Sequence, residues 1–162
     1  SPHAEVRDVP IPPGTLVTVD AGCVVDGYCS DCTRTFATGE LPGQLAEIYA
    51  LCRQAQQAGL DAVGPGVGGR DADAASRNPI EEAGYGEAYG HGMGHGIGLE
   101  VHEAPALRPE SEDVLEAGNV VSVEPGIYLP GVGGVRIEDQ VLVTEHGAER
   151  LTAFTKDLLT VG

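Results

Sequence analysis

Three of the five histidines lie in a fourteen-residue segment that also holds five glycines, Gly90 to Glu103 (GHGMGHGIGLEVHE). Imidazole is the commonest neutral metal ligand and also an acid or base near neutral pH, and glycine lets a backbone approach a ligand closely. His91, His95 and His102 are therefore candidates for metal binding or proton transfer. Their spacings would fit one face of a helix, but so many glycines disfavour a helix, and we interpret the segment as a strand and a loop.

A dinucleotide-binding loop is the alternative interpretation of the glycines from Gly84 to Gly90 (GYGEAYG). The third glycine comes one residue too late for the GxGxxG pattern, and the glycines continue into histidines instead of a helix. Metal or acid-base chemistry is therefore the better interpretation.

Four acidic residues lie on or beside short apolar segments that we interpret as strands. LVTVD ends at Asp20, YCSDCTRTF carries Asp31, VVSVE ends at Glu124, and VRIEDQVLVT carries Glu138. Carboxylates buried at this density repel one another and need cations to be tolerated. The sequence therefore predicts a divalent metal site, in which bridging carboxylates could serve two ions. An oxygen-rich ligand set with one imidazole suits Mn²⁺, with Co²⁺, Fe²⁺ or Zn²⁺ as alternatives.

The strands that must position these acids follow from short apolar or alternating segments bounded by turn residues. The predicted strands are Leu16 to Asp20, a hairpin from Cys23 to Phe36, Val120 to Glu124, Val135 to Thr144, and Glu149 to Phe154. Asp26-Gly27 marks the turn of the hairpin, and its return strand is predicted to carry Asp31. Pro125 and Gly126 are expected to end the strand before them, and Pro105 to Glu116 to form a polar loop.

Two helices are predicted between the first and the second group of strands. Apolar residues recur with helical spacing from Pro42 to about Ala62, and Gly64-Pro65-Gly66 follows as a stop. A weaker helical pattern runs from Asp71 to Ala83 and closes on Gly84, with Pro79 predicting a kink or a late start. About six strands and two helices predict an α+β fold with a mostly antiparallel sheet.

Length and charge exclude several classes of function. The 162 residues fit one domain with a hydrophobic core, and 9 basic against 25 acidic residues give a net charge of −16. This charge opposes nucleic acid or an anionic membrane as a partner. No apolar run reaches the roughly twenty residues of a membrane span, and no signal-peptide pattern is present, so we expect a cytoplasmic protein.

The four cysteines include one CxxC pair, Cys29 and Cys32. A zinc or redox site is one interpretation. Against it, the sequence has no second CxxC and no helical pattern directly after the first. Reduced structural thiols are the favoured interpretation.

Four segments together resemble the signature of the pita-bread metallopeptidases: VDAGCVVDGYCSDCTRTF, GHGIGLEVHE, VEPGIY and VRIED. They are most similar to the proline-directed branch, which contains Xaa-Pro dipeptidase (prolidase) and aminopeptidase P. The resemblance extends from about His3 to Thr152. It implies a mostly antiparallel curved sheet covered by helices. It also implies that residues 1–162 form a single, N-terminally truncated catalytic domain, with the first part of the domain missing.

This resemblance implies two divalent metal ions, most commonly Mn²⁺, held by five residues. Asp20 is expected to bind one ion, His95 and Glu124 the other, and Asp31 and Glu138 are expected to bridge the two. The implied nucleophile is a water molecule activated by the ions. Glu124 is expected to take its proton and to pass that proton to the leaving nitrogen.

Five further residues are implied to contact the substrate. His102 matches a histidine that contacts the scissile amide and stabilises the tetrahedral intermediate, His91 one near the substrate's carboxylate end, and His3 another substrate-contacting histidine. Arg136 matches an arginine that pairs with Asp20 or with a substrate carboxylate, or it simply balances the buried acids. Tyr128 is expected near the pocket, with a core position as its alternative.

The implied function is hydrolysis of the Xaa-Pro bond in short proline-containing peptides. Aminopeptidase P activity on longer peptides is the alternative within the branch, although the short connection from Tyr128 to Val135 favours the dipeptidase. A catalytically silent peptide-binding module, or an inactive fragment, is the alternative of another class. The complete ligand set argues against a binding module, because five converging polar groups are costly to desolvate. An exposed sheet edge would favour a homodimer.

Overall fold

Strands and helices alternate in groups along the residues that the computed structural model describes, which are 2–3 and 8–162. The helices are α1 (Gly43–Ala62) and α2 (Gly69–Glu82), followed by a single 3₁₀ turn at Gly86–Ala88. The strands are β1 (Leu16–Ala21), β2 (Val24–Val25), β3 (Tyr28–Cys29), β4 (Cys32–Ala37), β5 (Gly94–Gly96), β6 (Glu103–Leu107), β7 (Val120–Val123), β8 (Gly126–Leu129), β9 (Gly133–Arg136), β10 (Asp139–Thr144) and β11 (Gly147–Arg150). Neither α-helix of this part of the chain has the length and apolar character to span a bilayer.

The strands pair into one larger sheet and three two-stranded ribbons. The larger sheet has the order β11-β10-β7-β5-β6, and the ribbons are β1-β4, β2-β3 and β8-β9. Every one of these pairings is antiparallel, which confirms the predicted α+β class. The order of the larger sheet puts the histidine strand β5 directly beside β7, and Glu124 is the residue that follows β7.

Helix α1 packs one apolar face onto the β8-β9 ribbon. Leu45, Ile48, Tyr49, Cys52 and Ala55 are buried, with the i, i+3, i+4, i+7 spacing that the sequence showed. Their cluster includes side chains of the ribbon and of the residue that follows it, namely Ile127, Val135 and Ile137. The predicted helix is confirmed, and it fixes the ribbon that carries Tyr128 and Arg136.

Helix α2 starts at Gly69, two residues before the predicted start at Asp71, and continues through Pro79. The late start expected from Pro79 is therefore wrong. Its end matches the prediction, because Gly84 adopts φ +85 and donates to the carbonyl of Glu81 at 2.9 Å, while Tyr85 donates to the carbonyl of Ile80 at 3.0 Å. These two bonds cap the helix in a Schellman motif, which needs a left-handed residue at this position.

The predicted strand Val135 to Thr144 is not continuous. It divides into β9 and β10 because β9 pairs with β8 whereas β10 pairs with β7, so the chain changes partner at Ile137 and Glu138. The amide of Glu138 instead donates to the carbonyl of Thr33 at 3.1 Å. Glu138 therefore lies where the chain passes from the β8-β9 ribbon to the larger sheet, and its backbone bonds to β4.

Four other boundaries differ from the sequence interpretation. The predicted polar loop begins inside strand β6, since Leu107 is fully buried. Strand β7 ends before Pro125 as predicted, but Gly126 is already the first residue of β8. The last strand is Gly147–Arg150 instead of Glu149 to Phe154. Asp31 precedes β4 instead of lying within a strand. The hairpin turn is confirmed, because Asp26 and Gly27 have φ values of 51 and 88, as a type I′ turn requires.

The glycines around His95 let β5 approach its neighbours. A Cβ atom on Gly94 would lie 1.9 Å from the carbonyl oxygen of Ser122 in β7, and one on Gly96 would lie 2.2 Å from that of Ala104 in β6. No L side chain fits at these distances. The glycine-rich pattern therefore reflects close backbone packing on both sides of the histidine strand.

We expect Gly94→Ala to destabilise the protein by about 1–3 kcal/mol, the usual cost of overpacking a tight site. The added methyl group must push β5 away from β7, and His95 moves with it. Urea unfolding of the variant and the parent measures the difference. Gly90→Ala is the matched control, because a Cβ there meets nothing within 4 Å. Equal stability of the two variants would contradict the packing explanation.

Candidate metal and catalytic site

Three of the five predicted metal ligands converge on one point. Asp31, His95 and Glu138 each offer a ligand atom, and these three atoms lie within 4.8 Å of one another. Asp31 comes from the residue before β4, His95 from the middle of β5, and Glu138 from the junction of β9 and β10. The fold thus brings together one imidazole and two carboxylates from three parts of the chain.

Glu124, the fourth predicted ligand, bonds to the same imidazole. Its Oε1 lies 3.0 Å from His95 Nε2 and accepts a hydrogen bond from Ser122 Oγ at 2.9 Å. Burial alone would raise the pKa of Glu124, but the hydrogen bonds from His95 and Ser122 and the charge of His95 hold it below the ordinary value. Burial likewise opposes the charged form of His95, yet bonding to Glu124 and to the Gly96 carbonyl raises its pKa to about 9. In this geometry the two groups form an ion pair.

Asp20, the fifth predicted ligand, lies at the edge of the cluster with its side chain 41% exposed. Its Oδ2 accepts a hydrogen bond from Arg136 Nη2 at 2.6 Å. Burial of Asp31, followed by the charge and a hydrogen bond of Asp20, raises the pKa of Asp31 to about 6. The two aspartates are therefore close enough to repel each other, and the guanidinium of Arg136 compensates one of them.

Glu138 gives the clearest indication that a cation belongs in this cluster. Its Oε2 accepts a hydrogen bond from Thr33 Oγ1 at 2.7 Å, but Oε1 is buried and finds no hydrogen-bond partner within residues 2–3 and 8–162. Burial, then the charges of Glu124 and Asp31, raise the pKa of Glu138 to about 8. A buried carboxylate oxygen without a donor, surrounded by other carboxylates, is what a bound divalent cation satisfies. The residues present therefore fit a divalent metal ion.

His91, Tyr128 and Arg136 form a hydrogen-bonded chain that ends at Asp20. Arg136 Nη1 donates to the Tyr128 hydroxyl at 3.0 Å, and that hydroxyl lies 2.9 Å from His91 Nε2. The other ring nitrogen, Nδ1, lies 2.8 Å from the carbonyl of Gly92, which can only accept. Nδ1 therefore carries the proton, and Nε2 accepts from Tyr128.

Burial lowers the pKa of His91, so its ring is neutral, as this hydrogen-bond pattern requires. Burial also raises the pKa of Tyr128, which keeps its hydroxyl protonated as a donor. Both nitrogens of His91 are thus engaged within the protein. The hydroxyl of Tyr128 joins two other candidate residues, His91 and Arg136.

A cavity of about 460 Å³ opens beside the cluster. Its wall includes six of the predicted site residues, namely His3, His91, His95, His102, Glu124 and Arg136. His3 and His102 are exposed, and the ring of His102 lies 4.2 Å from that of His95, centroid to centroid. Tyr128 lies behind this wall, bonded to His91 and Arg136.

Two hydroxyl groups that orient the acids were missed by the sequence analysis. Ser122 Oγ accepts the amide of His95 at 3.0 Å and donates to Glu124, and Thr33 Oγ1 donates to Glu138. Ser122 stands two residues before Glu124 on an apolar strand, so the period of two places both on one face. A polar residue two positions from a candidate ligand in a strand is the signal that could have found it.

A buried ion pair on α2 holds the histidine segment and was also missed. Arg77 bonds to both carboxylate oxygens of Asp73 at 2.7 and 3.0 Å, and Asp73 Oδ1 accepts the amide of Met93 at 2.8 Å. Arg77 also donates to the carbonyls of Tyr89 and His91 at 3.1 and 2.7 Å. An Asp and an Arg four residues apart on a helix are the available signal.

The four cysteines are free, in keeping with the expected reduced thiols. The Sγ atoms of Cys29 and Cys32 are bonded to separate carbonyls, those of Leu99 at 3.7 Å and Glu138 at 3.9 Å. Burial raises the pKa of Cys52 to about 12, so this thiol is unreactive.

Comparison with known sequences and structures gives matches over almost the whole chain. The profile of metallopeptidase family M24 matches residues 1–145. An Xaa-Pro dipeptidase of Pyrococcus furiosus is 44% identical over 158 residues, which are 98% of this chain and 45% of the relative. This chain thus spans about 45% of the length of that relative.

Two solved structures superpose closely. The Xaa-Pro dipeptidase from Bacillus anthracis has a TM-score of 0.96 and 51% identity, covering 99% of this chain and 45% of that one. The X-Pro aminopeptidase from Thermotoga maritima has a TM-score of 0.94 and 39% identity, covering 99% of this chain and 46% of that one. The expected pita-bread fold is thereby confirmed.

Proposed function

We propose, on the premise that this chain belongs to metallopeptidase family M24, that the intact protein is a metal-dependent exopeptidase cleaving the Xaa-Pro bond of dipeptides. The observation that carries the proposal is the convergence of Asp31, His95 and Glu138, with a buried Glu138 oxygen that lacks a donor among the described residues. The dipeptidases named above support the substrate class.

We propose two divalent ions, and Mn²⁺ as the native metal, because the candidate ligands are four carboxylates and one imidazole. Asp20 would hold one ion, His95 and Glu124 the other, with Asp31 and Glu138 shared. Bound ions of this kind polarise a substrate carbonyl and lower the pKa of a water molecule. Arg136 would then release or share the Asp20 oxygen that it now binds at 2.6 Å.

Glu124 is proposed as the general base. Its pKa is held below the ordinary value, so it is ionised at neutral pH and can accept the proton of the attacking water. The same carboxyl group then delivers that proton to the departing nitrogen. Ser122 fixes the orientation of the carboxylate by donating to Oε1 at 2.9 Å.

His102 is proposed to stabilise the oxyanion of the tetrahedral intermediate, since its exposed ring lies in the cavity wall beside His95. His91 is proposed to contact the substrate with a ring face, because both of its nitrogens are already engaged. His3, which also lies in the cavity wall, is proposed to contact the substrate.

Proline suits a site of this kind for a chemical reason. An Xaa-Pro bond has no amide N–H, and the pyrrolidine ring fixes φ, so a protease that binds its substrate as a strand loses a contact. Attack by an activated water needs only a polarised carbonyl and an acceptor for the proton. The cavity supplies both through Glu124 and the proposed metal ligands.

Aminopeptidase P activity is the second candidate, favoured by the similarity to the X-Pro aminopeptidase from Thermotoga maritima. A silent binding module is disfavoured, because the buried Glu138 oxygen has no donor in the described part of the chain and a cation would satisfy it. The cytoplasmic location, the homodimer and the truncated single domain expected from the sequence stay predictions.

The test is hydrolysis of Ala-Pro and Ala-Pro-Ala by the intact protein loaded with Mn²⁺. We expect kcat/KM for the dipeptide to exceed that for the tripeptide by about tenfold or more, a difference of about 1.4 kcal/mol in transition-state binding. Ala-Ala serves as the control without proline. A preference for the tripeptide would assign the aminopeptidase P activity, and a protein that binds no Mn²⁺ and cleaves neither peptide would refute the proposal.

A further inference from the structure

A second group of charged side chains lies behind the candidate metal site. The carboxylate of Asp139 is fully buried and binds two buried cations closely, Arg34 Nη2 at 2.6 Å and Lys156 Nζ at 3.0 Å, whose side chains are 6% and 9% exposed. The exposed Arg150 lies farther from it, at 4.0 Å. Gln56 of α1 accepts from Lys156 at 2.7 Å and donates to Asp139 at 3.1 Å. We call Arg34, Gln56, Asp139 and Lys156 the rear network. None of the four lines the cavity of the candidate site.

Members of the rear network bond to backbone atoms next to the candidate ligands. Arg34 Nη1 donates to the carbonyls of Glu138 and Thr33, and Thr33 is the residue whose hydroxyl holds the Glu138 carboxylate. Gln56 Nε2 donates to the carbonyl of Val123, the residue before Glu124, at 3.4 Å. The rear network therefore holds the backbone at Glu138 and at the residue before Glu124, which are two of the candidate ligands.

Lys156 brings the last segment of the chain into this network. This last segment lies beyond residues 1–145, the part of the chain that matches the family profile. The segment is fastened by Arg34, which donates to the carbonyls of Phe154 and Thr155 at 2.7 and 2.9 Å. Lys156 then reaches Asp139 from the wall of a groove of about 790 Å³ that α1 also borders.

Arg34 and Lys156 contact different oxygens of the Asp139 carboxylate. Arg34 binds Oδ1 and Lys156 binds Oδ2, so removing the lysine leaves the carboxylate paired with Arg34 and, at the longer distance of 4.0 Å, with Arg150. The loss of the lysine deprives Asp139 Oδ2 and Gln56 Oε1 of a shared donor, and Gln56 is the side chain whose Nε2 bridges Asp139 in β10 and the carbonyl of Val123 in β7. Removing the arginine would leave a buried carboxylate with weaker compensation and would threaten folding.

We propose that Lys156 is a positioning residue for the metal site: by holding Asp139 and Gln56 together it sets the relative placement of Glu138 and Glu124. This inference rests on the proposed function, because it assumes that these two glutamates bind metal. Partners that orient metal ligands typically contribute about 10–100-fold to metal affinity.

The experiment compares Lys156→Met, Lys156→Arg and the parent in the intact protein by titration with Mn²⁺. We expect Lys156→Met to bind Mn²⁺ about tenfold more weakly, and Lys156→Arg to recover most of the loss. Arg53→Met is the matched control, because Arg53 borders the same groove but pairs with the exposed Asp157 at 3.0 Å. Metal-free Lys156→Met should unfold at a lower temperature than the control, because two buried acceptors lose their donor. In peptide hydrolysis kcat should fall while KM stays unchanged.

Unchanged Mn²⁺ affinity in Lys156→Met, or an equal loss in Arg53→Met, would overturn the inference. If Lys156→Met does not fold, Lys156→Gln decides in the same titration: weaker binding than Lys156→Arg supports the inference, and equal binding overturns it. A parent protein that binds no Mn²⁺ contradicts the proposed function itself, whereas a parent that binds Mn²⁺ as tightly as Lys156→Met contradicts only the role of Lys156.

Discussion

Replacement of Glu138 by glutamine is expected to stabilise the metal-free protein at pH 8 and to abolish tight Mn²⁺ binding. The Glu138 carboxylate is buried, one of its oxygens has no donor among the described residues, and neighbouring acids repel it. Glutamine removes the charge and keeps the shape. We expect the free energy of unfolding in chelator at pH 8 to rise by about 1–3 kcal/mol, the cost of a buried group without a partner. Urea unfolding at several pH values measures it.

The pH dependence of this effect has a definite sign. The pKa of Glu138 is raised from 4.5 to about 8 in the fold, so the folded protein keeps a proton that the unfolded chain releases. The stability associated with this proton is complete below pH 4.5 and is lost as the pH rises to about 8. The advantage of Glu138→Gln over the parent should therefore grow across this interval.

The matched control for this prediction is Glu112→Gln, a glutamate that is exposed and lies outside the candidate site. Its stability in chelator should follow that of the parent at every pH. With Mn²⁺ present the parent should become more stable than Glu138→Gln, because of these two proteins only the parent gains stability by binding the metal. A Glu138→Gln protein that is less stable than the parent in chelator at pH 8 would mean that Glu138 is not a strained metal ligand.

Local patterns in the sequence were sufficient to predict the strands that position Asp20 and Glu124. LVTVD and VVSVE are apolar runs that end in an acid, and the structure has strands there, with Asp20 inside β1 and Glu124 directly after β7. Helix α1 follows from its apolar spacing, and the type I′ turn follows from Asp26-Gly27. Each of these features depends on residues only a few positions apart, so the sequence carries them directly.

Contacts between distant residues decide what the sequence did not reveal. The break between β9 and β10 arises because the two strands have different partners, a fact that no local pattern of VRIEDQVLVT contains. Arg34 and Asp139 are 105 positions apart, and Lys156 and Gln56 are 100 apart. Buried charges of this kind look like ordinary surface residues in a sequence, because only the fold shows that they are buried.

The histidines illustrate the same limit within the candidate site. Their glycine-rich surroundings marked His91, His95 and His102 for chemistry, but the sequence could not distinguish them. In the structure His95 pairs with Glu124. Both ring nitrogens of His91 are hydrogen-bonded, one to the carbonyl of Gly92 and one to the hydroxyl of Tyr128. His102 is exposed in the cavity wall. Three residues of one type thus have three different sets of surroundings.

Replacement of Glu124 by glutamine is expected to lower kcat for Xaa-Pro hydrolysis by about 10²–10⁴-fold, the usual contribution of a general base. The amide cannot accept the proton of the attacking water, whereas its oxygen can still accept the bond from Ser122. Folding should therefore be retained. Since Glu124 is also a candidate ligand, the assay is run at saturating Mn²⁺, with kcat and KM determined separately. The loss should appear in kcat, because the proton transfer belongs to the transition state.

Glu103→Gln is the matched control for Glu124, because Glu103 lines the same cavity without bonding to His95. Its kcat should stay near that of the parent, which separates the loss of a base from the loss of a negative charge in the cavity. The two roles of Glu124 are separated by the metal content of the purified variant. A variant that holds a full complement of metal and keeps the kcat of the parent would exclude Glu124 as the base. A full complement of metal with a collapsed kcat assigns the proton transfer to this carboxylate, since the metal is retained and Glu103→Gln accounts for the loss of a negative charge.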